Sequence, residues 1–215
     1  GQGMLIKELK ALDTITAATM EPVAKAGGYY FYIKRLPGET TIKLFYRQGE
    51  NGKEQLLFDP AAFREGKTVD YLARVSDDGS RILMLISEAG SDLGDLHILD
   101  VATKKFYPDV IPHSRGRFVG GSNTDIVYLE YKSSDPHNAD NILNCLFKLH
   151  VIGTSVANDL VLAGADMYPQ LNLKPVERPW VTVYKNSPYM ILEKNSGGDI
   201  PLFFALKSEL KKKTI

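Results

Sequence analysis

A single cysteine, Cys145, among 215 residues excludes any disulfide within the chain. Its place in the apolar run Leu143, Leu146, Phe147 argues against a reactive thiol. Lack of disulfides fits a reducing compartment, so a cytoplasmic location is expected. Charge of one sign is also missing: 26 basic and 26 acidic side chains cancel. That balance argues against a chain-wide basic footprint for nucleic acid, and Lys211-Lys212-Lys213 reads as a solvated tail. No apolar run approaches the roughly 20 residues of a membrane-spanning helix, and the N-terminus lacks the apolar core of a signal peptide. Gly1-Gln2-Gly3 reads as a tag remnant ahead of Met4. Helical periodicity is scarce too. Only Leu5, Ile6, Leu9 and Leu12 recur at helical spacing, predicting one short N-terminal amphipathic helix.

What is abundant is strand sequence. Asp70 to Lys105 contains three short apolar runs separated by polar or glycine-rich turns, and reads as one four-stranded antiparallel unit. Asp78-Gly79 forms a tight hairpin and Gly90 to Gly94 a second turn. Within it Arg81, Leu83, Leu85 and Ser87 alternate with Ile82, Met84 and Ile86, and both sets are largely apolar. The strand should therefore be covered on both faces, which requires neighbouring sheets.

The chain supplies them. Upstream, Tyr29 to Ile33, Thr41 to Tyr46 and Glu54 to Phe58 make a sheet of at least three strands, closed by Asp59-Pro60 and a helical turn at Ala61 to Glu65. Downstream, Arg117 to Gly120, Asp125 to Tyr131, Leu143 to Val151 and Asp159 to Ala163 form a third unit. Trp180 to Tyr184, Tyr189 to Glu193 and Ile200 to Leu206, with turns at Asn186 to Pro188 and Asn195 to Gly198, form a fourth. The turns before each second strand fall at Gly28, Gly79, Thr124 and Pro188, a recurrence of roughly fifty residues that matches a propeller blade. Repetition at that period excludes a Rossmann-like fold. A β-sandwich stays open as an alternative, but the repeated order favours a partial all-β propeller of about four antiparallel four-stranded blades. Residues 1–21 are expected to comprise the tag remnant and the N-terminal helix and linker, and 22–215 the blades of an incomplete propeller.

Leu57-Phe58-Asp59-Pro60, Val75-Ser76-Asp77-Asp78-Gly79, Gly90-Ser91-Asp92, Pro108-Asp109-Val110-Ile111 and Leu149-His150-Val151-Ile152-Gly153-Thr154 with Asp159 resemble, in order and spacing, the propeller domain of prolyl oligopeptidases. The resemblance runs from about Pro22 to Leu206, and the His-x-x-Gly-Thr segment with its following Asp is its most specific part. It implies a seven-bladed propeller that caps an α/β-hydrolase domain and admits short peptides to a serine active site. A full ring at roughly fifty residues a blade needs about 350 residues, so this chain corresponds to an incomplete cap.

Catalytic residues are not identified. No Gly-x-Ser-x-Gly elbow occurs, and the nearest approach, Gly153-Thr154-Ser155-Val156-Ala157, reads as a strand-end turn. His97 reads as a strand side chain, and His113 and His137 lie in turns beside Pro112 and Pro136. His150 reads as a hydrogen-bonded strand residue between blades, with no nucleophile or carboxylate partner legible nearby. Asp77-Asp78 and Asp92 with Asp95 lack the ligand count and spacing of a calcium loop, so no metal is expected. No cofactor is expected either. The aromatic run Tyr29 to Tyr32 is better suited to packing than to stacking nucleic-acid bases.

Two functions of different class follow. The first is the non-catalytic, substrate-gating cap of a serine-type oligopeptidase that cleaves short peptides after proline, inactive without its hydrolase domain. The second is a free-standing propeller-like module that binds a peptide or protein. Either way, blade faces left without neighbours should promote self-association.

Overall fold

The computed structural model describes residues 19–64, 66–88, 91, 93–133, 135, 137–165, 167, 172–195 and 202–209. The expected helix over Leu5 to Leu12, Asp92, the turn over Ser196 to Gly198 and the Lys211 tail lie outside them. The chain divides into two compact units, residues 1–69 and 70–215.

The first unit carries β1 (Thr19–Ala26), β2 (Tyr29–Arg35), β3 (Ile42–Gln48) and β4 (Gln55–Phe58), hydrogen-bonded in chain order. The strand β1 begins ahead of the expected boundary at Pro22, and its register shifts between Pro22 and Ala24. Proline has no N–H for the ladder, which explains why it falls at such an irregularity. Phe31 stacks on Tyr46 and Tyr32 on Phe45, so the aromatic run is core, with Phe31 only 1% exposed. The short helix α1 (Pro60–Phe63) follows, capped by the Asp59 carboxylate, which accepts from the Ala61 N–H.

The second unit contains three sheets. The first is β5 (Val69–Val75), β6 (Arg81–Glu88), β7 (Asp95–Asp100) and β8 (Phe106–Ile111). Its fourth strand therefore lies beyond Lys105, where the sequence placed the end of the unit. The next sheet is β9 (Ser114–Phe118), β10 (Asp125–Glu130), β11 (Leu146–Val151) and β12 (Leu160–Ala163). The last is β13 (Arg178–Val183), β14 (Tyr189–Asn195) and β15 (Leu202–Leu206), with three strands rather than four among the described residues.

Alternation along β10 shows how these sheets hold together. Ile126 and Tyr128 join Leu83, Leu96, Ile98 and Ile111 in one core. Val127 and Leu129 turn the other way, to Phe147, Leu149, Val181, Val183 and Met190 in a second core. Successive side chains of a strand point to opposite faces, so one strand serves both seams. Each large apolar side chain buried this way contributes about 1.5–3 kcal/mol relative to exposure. The strand β6, with Ile82, Leu83 and Met84 each at most 1% exposed, is covered on both faces as its composition required.

Turns lock the same seams. The hairpin Ser76 to Ser80 turns through Gly79 at φ 73°, a left-handed conformation that favours glycine. Its Asp78 carboxylate accepts from the Ser80 N–H at 3.0 Å and from the Asn123 side chain at 2.5 Å, while Asp77 accepts from the Gly121 N–H at 2.7 Å. Burial pushes the Asp78 carboxyl up, but the bonds from Ser80, Ser76 and Asn123 outweigh it and hold the group at about 2. The next hairpin is tied onward, with the Gly120 N–H donating to the Val183 carbonyl and Lys207 Nζ donating to the Gly120 carbonyl, at 2.8 and 2.7 Å.

Candidate functional site

His150 projects from β11 opposite Ile126 of β10, on the face turned to the preceding sheet. Its side chain is fully buried. Nδ1 lies 2.8 Å from Asp159 Oδ1 and Nε2 lies 3.3 Å from Asp109 Oδ2. The carboxylates come from different sheets, Asp109 from β8 and Asp159 from the turn that leads into β12. Asp159 also accepts from the Tyr128 hydroxyl at 2.7 Å, and Asp109 accepts from the Gly153 N–H at 2.5 Å. Burial opposes charge on the imidazole, yet the bonds and charges of Asp159, then of Asp109, outweigh it and raise the pKa above that of an ordinary histidine. Burial and Asp159 likewise push the Tyr128 phenol far up. The expectation that His150 has no carboxylate partner is thus corrected: it has two, brought in by the fold across 41 and 9 residues.

This arrangement is a seam and not a catalytic dyad. Both ring nitrogens already face carboxylates, the one hydroxyl in the cluster, that of Tyr128, bonds Asp159 and not the imidazole, and burial of the ring denies access to substrate. Ser155 caps the 3-10 turn Val156–Asn158, accepting from the Ala157 N–H, where a nucleophile elbow would instead present its serine between a strand and a long helix. The other histidines stand apart. His97 meets the Phe106 ring at 5.8 Å, His137 lies in the turn whose Asp135 accepts from its N–H, and His113 sits at φ 46° with its N–H donating to Asp95. Cys145 is buried, and burial pushes its thiol pKa up. Among the described residues no group of three or more His, Cys, Asp and Glu is arranged to hold a metal. No helix of the described residues is long and apolar enough to cross a membrane.

A concave feature of the second unit lies elsewhere. A cavity of about 430 Å³ opens on the first strand of each of its three sheets. Leu72 and Arg74 reach it from β5, Arg115 and Gly116 from β9, and Arg178 and Trp180 from β13. Leu83, Leu85, Leu96, Leu129 and Tyr131 form an apolar floor, and Glu193 is the acidic group on its wall. Arg117, two residues along β9 from Arg115, lies over the Trp180 ring at 4.6 Å. Gly116 permits this crowding, since a Cβ there would meet Val127 O at 2.7 Å and Tyr128 Cβ at 2.8 Å. The sequence reading missed these arginines, because they are scattered over three strands far apart in the chain and only the packing of three sheets collects them.

The model of the "Prolyl oligopeptidase, N-terminal beta-propeller domain" family matches residues 2–174. The chain is 29% identical over 150 residues to a prolyl endopeptidase of Elizabethkingia meningoseptica and 27% identical over 176 residues to that of Elizabethkingia miricola. These alignments take in 66% and 79% of the chain but only 21% and 24% of the relatives. Among solved structures, a prolyl endopeptidase superposes with a TM-score of 0.80 at 20% identity, covering 98% of this chain and 31% of its own length. Prolyl oligopeptidase B of Galerina marginata gives 0.74 at 13% identity, with coverages of 95% and 32%. Oligopeptidase B of Leishmania major gives 0.73 at 14%, with coverages of 97% and 28%. The four antiparallel sheets are therefore consecutive blades of a propeller.

Proposed function

Because this chain belongs to the prolyl oligopeptidase N-terminal β-propeller family, we propose that it forms part of the wall of a substrate-gating cap in a serine-type oligopeptidase that cleaves short peptides after proline. The carrying observation is the family match over residues 2–174 combined with a His150 cluster that is committed to joining blades. A cap that filters by size must resist parting between blades, and Asp109–His150–Asp159–Tyr128 adds directional bonds to an apolar seam. Its partners on this reading are the peptide substrate and an α/β-hydrolase domain elsewhere in the parent protein. Apolar side chains on β15 favour self-association of the isolated chain. The buried free Cys145 suits a reducing, cytoplasmic setting.

The test is size selectivity in the parent enzyme. Cleavage rates of a short proline-containing peptide and a longer unfolded one are compared between wild type and Asp109→Ala, which removes the carboxylate that crosses the seam. The loosened seam should raise the relative rate on the longer peptide. An unchanged ratio in a variant shown to be destabilised would overturn the gating reading, and a parent gene without a hydrolase domain would favour the free-standing binding module.

A further inference from the structure

We propose that the arginine-lined cavity on the first strands of the second, third and fourth blades binds a peptide carboxylate, either the α-carboxylate of a peptide end or an acidic side chain. Arg74 and Arg115 are exposed at its mouth, while Arg117 and Arg178 are half-buried. Arg74, Arg115 and Arg178 line the cavity with a single carboxylate, Glu193, Arg117 lies behind them over the Trp180 ring, and no ion pair among the described residues engages any of the four.

The surplus is costly as it stands. Like charges held together over an apolar floor repel in a medium that screens them less than water does. Arg117 illustrates the imbalance: its one side-chain hydrogen bond is a long 3.4 Å contact to Thr182 Oγ1, and its Nε is buried without a partner. A buried donor in that condition calls for a water, an ion or a ligand group to complete it. Burial, and then the charge of Arg74, depress the Arg117 pKa, which places the two guanidinium groups within each other's field.

The guanidinium fork selects the ligand class, because it pairs with planar carboxylates through two parallel bonds. The cavity, about 430 Å³, falls in the range of small-ligand sites. Leucines and Trp180 below the arginines suit the apolar side chain next to the carboxylate, so a peptide terminus fits better than a bare inorganic anion. This assignment rests on the gating reading only in taking the ligand to be a peptide.

Trp180 is the single tryptophan of the chain, so its fluorescence reports on this cavity alone. The purified 215-residue chain is titrated with N-acetyl-Ala-Pro-Phe, with the same peptide as its C-terminal amide, and with inorganic phosphate. The acid should bind about tenfold or more tightly than the amide, and weaken with added salt. Arg74→Gln and Arg115→Gln change exposed side chains and should keep the fold while weakening the acid, not the amide. Arg117→Gln should also alter the Trp180 emission of the free chain. Equal binding of acid and amide, or phosphate binding as tightly as the acid, would overturn the proposal, as would no binding of either peptide. A parent gene lacking a hydrolase domain would defeat the gating reading and leave this result standing.

Discussion

Removing the Asp159 carboxylate should undo the cluster through which the third blade presents His150 to Asp109 of the second. In the Asp159→Ala variant, His150 loses its 2.8 Å partner and keeps only Asp109 at 3.3 Å, while the Tyr128 hydroxyl loses its 2.7 Å acceptor. The imidazole is 0% exposed and the Asp159 side chain 1%, so water cannot readily replace the lost acceptor. Breaking one side of a buried ion pair costs about 3–5 kcal/mol, and an orphaned hydroxyl about 1–3 kcal/mol. The two penalties overlap at one carboxylate, so a total near 4 kcal/mol is expected, against a typical stability of about 5–15 kcal/mol. At roughly 2–4 °C per kcal/mol for a chain of this size, the melting temperature should fall by about 8–16 °C. Tyr128→Phe, which removes only the hydroxyl, should cost about 1 kcal/mol. Differential scanning calorimetry and urea denaturation of the three proteins provide the assay. An Asp159→Ala variant within about 0.5 kcal/mol of wild type would refute the view that this carboxylate holds the His150 cluster together.

The same cluster predicts a pH dependence. The folded-state pKa of His150 is raised above an unfolded value near 6.5, so the folded chain binds the extra proton. Its contribution is complete below about pH 6.5 and is lost as pH rises through the folded pKa. Urea midpoints should therefore decline as pH rises beyond about 6.5 in wild type, and His150→Gln should flatten that decline. Gly116→Ala should destabilise by about 1–3 kcal/mol through overpacking, because the new methyl would lie 2.7 Å from Val127 O and 3.0 Å from Leu96 Cδ1. Thermal unfolding checks this, and a neutral result would mean that β9 can shift away from β10. On β15, Leu202, Phe204 and Leu206 are 51%, 64% and 48% exposed, an apolar row that should drive self-association. Sedimentation at increasing concentration should show oligomers for wild type and fewer for Phe204→Glu. A compact wild-type monomer at high concentration would count against it.

The middle strands were legible because they are buried on both faces. Residues 125–129 of β10 are all buried, and such a run announces itself in sequence. The first and last strands were harder to see. Ser114–Phe118 reads Ser-Arg-Gly-Arg-Phe, with Arg115 at the cavity and Arg117 over Trp180, and lacks any apolar alternation. Phe106–Ile111 carries Pro108 and Asp109, which weaken a strand signal, yet Asp109 is the residue that reaches His150. The Ser76-Asp77-Asp78-Gly79 hairpin was recognisable as a turn from its composition. Its bonds to Asn123 and Gly121 were not, since they span 45 and 44 residues. Family resemblance took in Asp109, His150 and Asp159 as separate motifs, but a one-dimensional pattern cannot show that Asp109 reaches His150 from the neighbouring blade.

The central claim, that this chain is the non-catalytic propeller portion of a serine oligopeptidase, is tested most directly by mapping an active-site label. The full-length parent is treated with a fluorophosphonate, digested, and the modified serine located by peptide mass spectrometry. The account predicts one labelled serine outside these 215 residues and none within them. A label on Ser155 or any other serine of this chain, or no labelled serine anywhere in an intact parent, would contradict it.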